Sequence, residues 1–378
     1  MRKQKLTLSV VGAAVALIAL AVAVGGPTGV ASASRARMAG GAATAKAIVA
    51  KYERQQPAIT IPVLPKRPPK NVNLGAVLCT IPQCTYQAWQ QATKAIGWHL
   101  DAQTYSLTPQ SYVAAWARLV QQTPAPKVVG FEAVFPNSLV QSSLATLQQR
   151  KTPTVTVTTD EAQPLQGPVK GCYICAPQFT MSGRLMADAV IADAGGPTKV
   201  VWVEDPTLIS LGAAYNGFKN EFNALSPQST LGTLTVSITA PASQTVGQVV
   251  SYLQANPDVK YVAFSIDALD TGVPQALASA GLGGSVKLVG RAPQAQDLAY
   301  LKAGQEFAEV AEEDVEPDWR AVDGLARLLE GVPLSKATPA GWHQILTKAN
   351  ASTVKTQNGT PVAPGFPQAF LKAWHVSG

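Results

Sequence analysis

The feature that most constrains the fold lies after residue 70, where short apolar runs alternate with segments of helical period. The predicted first strands are 72–78, 98–102, 127–132 and 154–158. The predicted helices between them are 86–96, 109–122 and 139–150. Alternation of this kind makes parallel sheets with helices on both faces, so we expect an α/β protein.

The pattern starts again after about residue 173. Strands are predicted at 199–203, 233–238, 261–265 and 287–290, and helices at 181–194, 208–225, 245–255 and 272–280. A strand at 307–312, a helix at 317–329 and the tail then have to be shared between the two halves. We therefore expect two Rossmann-like lobes with doubly wound parallel sheets, joined by a multi-strand hinge. The first would hold residues 71–175 and about 313–345, and the second 176–312 and about 346–378.

The N-terminus predicts export. Arg2, Lys3 and Lys5 precede an apolar run at 6–24, and Ala-Ser-Ala at 31–33 is a small-residue cleavage site. We expect residues 1–33 to be a signal peptide cleaved after Ala33. The apolar run is just long enough to span a bilayer, so an uncleaved signal anchor is the alternative. Residues 34–70 are basic and proline-rich, which predicts a tether.

The net charge of +7 suggests a nucleic-acid partner at first sight, but its distribution argues against one. Three of the 30 basic residues lie in 1–33 and eight in 34–70, against one acidic residue. The remaining 19 basic and 22 acidic residues leave the main body mildly acidic. The sequence therefore predicts no nucleic-acid binding and restricts membrane attachment to the N-terminal segment.

The four cysteines form two close pairs, Cys79 with Cys84 and Cys172 with Cys175. In an exported chain such pairs favour disulfides, and the spacing leaves all three connectivities open. A four-thiolate zinc site is a sharper alternative, because C-x-x-C is a common zinc half-site. The first cysteine lies far beyond the cleavage site, so no N-terminal lipid is expected.

Catalytic signatures do not occur in the sequence: it has no nucleophile elbow, no HExxH, no P-loop and no Rossmann glycine fingerprint. We expect no enzyme activity and no cofactor. The acidic segment 306–318 is predicted to be mostly a solvated face. Its seven acidic residues are Glu306, Glu309, Glu312, Glu313, Asp314, Glu316 and Asp318.

The order of these elements, together with six landmarks, resembles the type I periplasmic binding proteins, the sugar-binding family of ABC importers. The landmarks are Leu-Gly-Ala-Val-Leu at 74–78, Thr-Pro-Thr-Val-Thr-Val at 152–157, Gly-Arg-Leu-Met-Ala at 183–187, Tyr-Asn-Gly-Phe at 215–218, Asn-Pro-Asp-Val at 256–259 and Val-Lys-Leu-Val-Gly at 286–290. The resemblance covers residues 71 to about 335.

The resemblance implies a ligand cleft between the lobes, beyond the carboxyl ends of the strands. Tyr86 could supply an aromatic, Asp267 stands in the place of a family Asp, and Glu312 stands where a hinge Gln is common. Gln178–Phe179 and Arg291–Ala292 depart from the family pattern. The predicted ligand-binding residues are Tyr86, Glu132, Phe135, Asn137, Asp160, Gln178, Phe179, Asp267, Arg291 and Glu312. The two cysteine pairs are expected to stiffen the rim of this cleft.

The function implied by the resemblance is solute capture outside the cytoplasm. A small polar, sugar-like ligand would bind between the lobes of a monomer and pass to an ABC transporter permease. A membrane-anchored domain that senses its ligand is the alternative, and an enzyme or zinc protein is the third.

Overall fold

The computed structural model describes residues 27–81, 84, 86–158, 165, 167–336 and 341–376. The chain divides into two compact units, residues 1–37 and residues 38–378. Helix α1 (Pro27–Tyr52) begins in the first unit, and the predicted cleavage position after Ala33 lies within it. The apolar run 6–24 lies outside the described residues. Among the residues that are described, no helix is long and apolar enough to cross a membrane.

The first lobe is a five-stranded parallel sheet in the order β2-β1-β3-β4-β5. Its strands are β1 (Asn73–Cys79), β2 (His99–Tyr105), β3 (Val128–Phe131), β4 (Thr154–Thr156) and β5 (Val169–Cys172). Its crossover helices are α2 (Tyr86–Ile96), α3 (Pro109–Gln121) and α4 (Gln141–Gln149). The expected parallel sheet is confirmed, and the sequence patterns missed β5, which has only four residues.

The second lobe is a six-stranded sheet in the order β11-β10-β9-β8-β6-β7, in which only the β10–β11 pair is antiparallel. Its strands are β6 (Lys199–Glu204), β7 (Thr230–Thr235), β8 (Tyr261–Phe264), β9 (Lys287–Arg291), β10 (Ala308–Glu312) and β11 (His343–Leu346). Its helices are α5 (Ala176–Ala194), α6 (Gly212–Leu225), α7 (Ala242–Ala255), α8 (Val273–Ser279) and α9 (Ala295–Ala303).

Helices α5 and α6 pack closely because glycines stand at their contact. A Cβ atom on Gly183 would lie 1.9 Å from the carbonyl oxygen of Ala214, and one on Gly217 would lie 2.1 Å from that of Thr180. Both separations are too short for any side chain. The glycines of two sequence landmarks are therefore required for helix packing.

The C-terminal segments are divided between the lobes differently from our expectation. Helix α10 (Glu316–Leu329) returns to the first lobe, as expected, but β11, within the range assigned to that lobe, joins the second sheet. After the short β12 (Thr356–Gln357) and β13 (Thr360–Pro361), helix α11 (Gln368–Ala373) packs against α10 in the first lobe. The ring of Trp374 stacks on that of Trp319 at 5.4 Å. Aromatic burial thus draws the tail back to the first lobe.

Residues 38–70 are packed against the body rather than forming a free tether. Ala45 of α1 is fully buried, and Gly41 lies so close to α6 that a Cβ atom would meet the Leu225 carbonyl oxygen at 2.0 Å. Further along, Ile59 N–H donates to the carbonyl of Pro364, and Leu64 N–H to that of Ala373. The segment therefore contacts elements of both lobes.

Candidate functional site

A cavity of about 60 Å³ lies between the lobes, at the carboxyl ends of both sheets, where open α/β sheets bind ligands. Its polar lining consists of Glu132, Thr158, Ser210, Arg291, Asp314 and Asp318. Its apolar lining consists of Ile81, Leu107, Val134, Val157, Ile174, Phe179, Leu208, Leu211, Ile266 and Ala292, together with Cys84. Both lobes therefore contribute polar and apolar groups to one cavity.

Arg291 ends β9 and is the main cationic group of the cavity. Its backbone N–H donates to Asp267 Oδ1 at 2.8 Å, and its Nη1 donates to the Ser265 carbonyl at 3.0 Å, while Nη2 pairs with Glu312. The guanidinium carbon lies 4.7 Å from the centre of the Phe179 ring. Nε has no hydrogen-bond partner among the described residues. Because an unsatisfied buried N–H costs about 1–3 kcal/mol, this donor is suited to a ligand oxygen.

Glu132 follows β3 on the facing lobe. Its side chain is 3% exposed, and Oε2 accepts a hydrogen bond from the Cys79 N–H at 2.8 Å. Burial raises the pKa of Glu132 to about 8, although the Cys79 N–H acts in the opposite direction. A carboxyl group with this pKa is mostly protonated at neutral pH, so it can donate a hydrogen bond to a ligand hydroxyl as well as accept one.

The acidic segment 306–318 was wrongly interpreted as a solvated face. Six of its seven acidic side chains are buried, and Asp314 is half-buried. Asp314 and Asp318 line the cavity. Burial raises the pKa of Asp314, and the neighbouring Glu312 raises it further, while Arg291 lowers it. Charge count alone suggested solvent exposure, whereas the turn between β10 and α10 brings these groups to the hinge.

The cysteines pair locally, Cys79 with Cys84 and Cys172 with Cys175, and all four are engaged. Of the three connectivities left open, this one is confirmed, and it leaves no thiolates for a zinc site. The first bridge closes the loop that carries Ile81 and Cys84 into the cavity. The second lies at the first crossing between the lobes, immediately before α5.

Two residues of the cavity wall have left-handed backbone conformations that are unusual for their type. Ile174, between Cys172 and Cys175, has a φ of 54°, and Ala292, after β9, has a φ of 61°. Such strain costs about 1–3 kcal/mol and concentrates at ligand sites and hinges. Both positions lie where the chain must turn sharply at the cavity.

The structure brings only some of the predicted ligand residues to the cavity. Glu132, Phe179 and Arg291 line it, and Glu312 lies behind Arg291, where it also accepts a hydrogen bond from Ser182. Asp267 is buried outside the cavity lining and holds the Arg291 backbone.

The other predicted ligand residues lie elsewhere. Phe135 packs in the core against Tyr105 and Tyr112, and Gln178 accepts a hydrogen bond from the Cys175 N–H at the start of α5. Neither they nor Asn137 belongs to the cavity lining, and Tyr86 lines a neighbouring surface cavity. Asp160 lies outside the described residues.

Sequence reasoning missed Asp318 and part of the aliphatic wall, namely Leu107, Val157, Ile174 and Leu211, as parts of the site. Asp318 stands in the first turn of α10, next to the proline at the start of that helix. This helix-start pattern was the one feature of the sequence that could have indicated its position. The aliphatic residues carried no chemical signal, because apolar side chains after strands also belong to ordinary cores.

Comparison of the chain with protein-family models identifies its family. Residues 83–331 match the model described as the periplasmic binding protein domain, which spans about two thirds of the chain. The chain belongs to the periplasmic binding protein family. Membership confirms the resemblance stated from the sequence and the two-lobed fold, and the family consists of solute-binding proteins rather than enzymes.

Solved structures show the same fold. A solute-binding protein of an ABC transporter from Mycobacterium smegmatis, with bound glycerol, is 20% identical with a TM-score of 0.67 and covers 77% of this chain and 99% of its own. One from Agrobacterium vitis, bound with alpha-D-tagatopyranose, is 18% identical with a TM-score of 0.66 and covers 75% and 97%. Another from Agrobacterium vitis, with bound D-fucose, is 18% identical with a TM-score of 0.65 and covers 76% and 99%. A search of curated proteins gave no significant match.

The cavity of this periplasmic binding protein lies where the two lobes of the family face each other. Its volume of about 60 Å³ is well below the roughly 300–1,000 Å³ of sites for drug-sized ligands. Because a cavity needs about 10–15 Å³ to hold one water, this one has room for only a few water-sized groups. The cavity is therefore narrow, and Glu132 of the first lobe and Arg291 of the second both line it.

Proposed function

We propose that the chain is an exported solute-binding protein that captures a small polyhydroxylated solute, a sugar or polyol, and delivers it to the permease of an ABC importer. The observation that carries the proposal is the cavity enclosed by both lobes, with Glu132 on one wall and Arg291 on the other. The glycerol and sugars bound by proteins of the same fold support this ligand class.

The polar groups of the cavity suit hydroxyl groups better than an anion. Three carboxyl groups, those of Glu132, Asp314 and Asp318, face one guanidinium that is already neutralised by Glu312. A ligand with its own negative charge would find no unpaired positive charge among the described cavity residues. Hydroxyl groups can donate to the carboxyl oxygens and accept from Arg291 Nε, so each cavity group finds a partner.

The aromatic contribution is smaller than in a stacked sugar site. Among the described residues, Phe179 is the one aromatic ring of the cavity lining, and the guanidinium of Arg291 lies over it. The proposed ligand is therefore held mainly by hydrogen bonds and by aliphatic contacts. This arrangement favours a small polyol or a compact sugar.

The proposed transport cycle depends on closure of the two lobes on the ligand. Ligand contacts to both lobes are complete only when the lobes are closed, so the ligand stabilises the closed state by its differential affinity. Opening must occur at the crossings between the lobes, where Ile174 and the segment after β10 line the cavity. A closed, ligand-loaded form is the species a permease would receive.

A binding screen tests the proposal directly. The purified protein is titrated with sugars, polyols, amines and nucleosides by thermal shift, and each hit is measured by calorimetry. For a hit, Glu132→Ala in the first lobe and Ser210→Ala in the second should each weaken binding about 10-fold or more, since a lost hydrogen bond costs about 1–3 kcal/mol. Ser279→Ala, on an exposed helix end, is the matched control. The absence of any shift with all these solutes, or equal affinity in all three variants, would overturn the proposal.

Export and the transport role are tested separately. The mature protein recovered from the producing cell should begin at Ser34 and lie outside the cytoplasm. Retention of the N-terminal segment in membranes, without a co-purifying permease, would favour a ligand sensor over an importer component.

A further inference from the structure

The second lobe contains five buried carboxyl groups packed against one another, away from the ligand cavity. We call this the acidic cluster; its members are Asp267, Asp270, Asp297, Glu306 and Glu309, all of them at most 4% exposed. They come from the turn after β8, the first turn of α9, the loop before β10 and β10 itself. No basic side chain of the described residues forms an ion pair with any of them.

Several oxygens of the cluster receive no N–H or hydroxyl hydrogen bond, and the contacts of Glu309 with Asp267 and of Glu306 with Asp270 are between carboxyl groups. Both carboxyl oxygens of Glu309 and of Glu306 are buried without a hydrogen-bond donor among the described residues, and so are Asp267 Oδ2 and Asp270 Oδ1. A buried charged group without a partner is far more costly than a neutral one, so proteins pair such groups or use them to coordinate metals. The orphaned carboxylate of Glu309, at 1% exposure, is directed into the cluster beside Asp267.

The backbone beneath the cluster is kept free of side chains. A Cβ atom on Gly290 would lie 2.0 Å from Asp267 Oδ1 and 2.8 Å from both carboxyl oxygens of Glu309. Only glycine at this position of β9 lets the two carboxyl groups converge above the strand. The convergence is therefore built into the sheet.

The oxygen spacing matches a hard divalent cation. Ligand oxygens of Asp267, Asp270 and Glu309 all lie within 4.8 Å of one another, as do those of Asp270, Asp297 and Glu306. Oxygens bound to one Ca²⁺ at about 2.3–2.6 Å are separated by at most about 5 Å. The two groups share Asp270, which can bridge them.

We propose that the acidic cluster binds Ca²⁺, with Asp267, Asp270, Asp297, Glu306 and Glu309 as oxygen ligands. Ca²⁺ fits better than Mg²⁺, because Mg²⁺ keeps several waters and is bound by one or two carboxylates, whereas Ca²⁺ takes six to eight oxygens. Zn²⁺ is disfavoured because the cluster offers no nitrogen or sulfur ligand. The site is separate from the proposed solute site and does not depend on it.

Repulsion among the five carboxyl groups opposes their ionisation, because they are buried against one another with no basic ion-pair partner among the described residues. The five groups cannot all ionise near neutral pH unless positive charge is supplied. A divalent cation supplies it and leaves the oxygens ionised.

A surface cavity borders the acidic cluster on one side. A surface cavity of about 580 Å³ between α8, β9 and the loop before β10 is lined by Glu306. Lys287 and Lys348 line the same cavity. Lys287 is neutralised by Asp193 at 2.6 Å, so it does not oppose the entry of a cation with its full charge.

The site would also support the solute cavity. Asp267 Oδ1 accepts the Arg291 N–H at 2.8 Å, and Glu309 lies three residues before Glu312 on β10. An ion bound to Asp267 and Glu309 would fix β8, β9 and β10 relative to one another at the wall that carries Arg291. This is a structural role for the ion, and the solute need not touch it.

The test uses the full-length protein at pH 7.5, stripped with a chelator and then titrated with CaCl2 or MgCl2 alone. We expect Ca²⁺ to raise the melting temperature by several degrees, to be retained at one or two equivalents by elemental analysis, and to act at lower concentration than Mg²⁺. Glu309→Gln should remove the response, and because it also removes a repelling charge, the stripped variant should be at least as stable as the stripped wild type. Asp258→Asn, at an exposed position, should respond like the wild type.

Two results would overturn the assignment. The first is a wild-type protein that shows neither retained metal nor a thermal shift at millimolar Ca²⁺, which would mean that the cluster holds protons instead. The second is a Glu309→Gln variant that folds and responds to Ca²⁺ as the wild type does. Neither result depends on finding the solute, so failure here is distinguishable from failure of the proposed function.

Discussion

Variants of the buried ion pair between Arg291 and Glu312 should separate the effect of this pair on stability from its effect on ligand binding. Both side chains are 2% exposed, and Glu312 is the carboxylate that neutralises the guanidinium. In Glu312→Gln the shape is kept, but the guanidinium loses its counter-charge and retains the carbonyl of Ser265. Breaking a buried pair in this way costs about 3–5 kcal/mol, because an uncompensated charge stays buried. At about 1.4 kcal/mol per factor of ten, the unfolding equilibrium should shift by two to three and a half orders of magnitude.

A second variant tells the charge penalty from a general loss of packing. Replacing both partners with apolar residues, Arg291→Met with Glu312→Leu, removes the stranded charge, so most of the stability should return. Binding of the solute should not return, because Arg291 lines the cavity and its Nε is a donor without a partner among the described residues. Urea denaturation followed by tryptophan fluorescence gives the free energies, and calorimetry gives the affinities.

The exposed pair of Arg184 and Glu221 is the control, since Arg184 is 47% exposed. Glu221→Gln should cost at most about 1 kcal/mol. A cost below about 1 kcal/mol for Glu312→Gln would refute the reasoning, because Arg291 would then be neutralised by another group such as Asp314. Full solute affinity in the double variant would refute the proposed role of Nε.

Three other outcomes are expected. Burial raises the pKa of Glu132 from 4.5 to about 8, so between these values the folded state keeps a proton that the unfolded state releases, and the free energy of unfolding falls as pH rises. Denaturation at pH 4 and pH 8.5 should therefore show Glu132→Gln gaining stability relative to the wild type at the higher pH, by up to about 5 kcal/mol, and parallel curves would contradict this. Opening the first disulfide by Cys79→Ser with Cys84→Ser should lower the free energy of unfolding by about 2 kcal/mol and weaken solute binding. Unchanged affinity would contradict the prediction that this disulfide stiffens the rim of the cleft. Gly183→Ala should lower the free energy of unfolding by about 1–3 kcal/mol through overpacking. Gly247→Ala, in open space on α7, should raise it by up to about 1 kcal/mol. Equal effects of the two substitutions would refute the close packing of α5 and α6.

Local patterns predicted most of the elements because their causes are local. Helix α2 matches its predicted bounds, and α3 starts at Pro109 with the Thr108 side chain accepting from the Ser111 N–H, as its sequence suggests. Helix α9 and strand β11 were missed, since their sequences have neither a clear period nor a long apolar run. Their structures depend on neighbours that the chain meets only after folding.

The candidate site was also predictable from local patterns only in part. Glu132 after β3 and Arg291 at the end of β9 both line the cavity, because the carboxyl ends of parallel strands meet in one cleft. That they bind a ligand stays a prediction. Phe135 lies after the same strand as Glu132, but the chain turns it into the core against Tyr112. Whether a side chain after a strand faces the cleft or the core depends on that turn, which no local pattern specifies.

The sequence by itself determined the alternation of strands and helices, the paired cysteines, the basic N-terminal segment and the family. These follow from periodicity, spacing and composition along the chain. Only the tertiary structure decided that the segment after residue 38 packs against both lobes, that α11 returns to the first lobe, and that the carboxyl groups of 306–318 are buried. Burial is a property of surfaces that meet across long separations in sequence, so a run of acidic residues has the same composition whether it faces water, a guanidinium or the proposed cation.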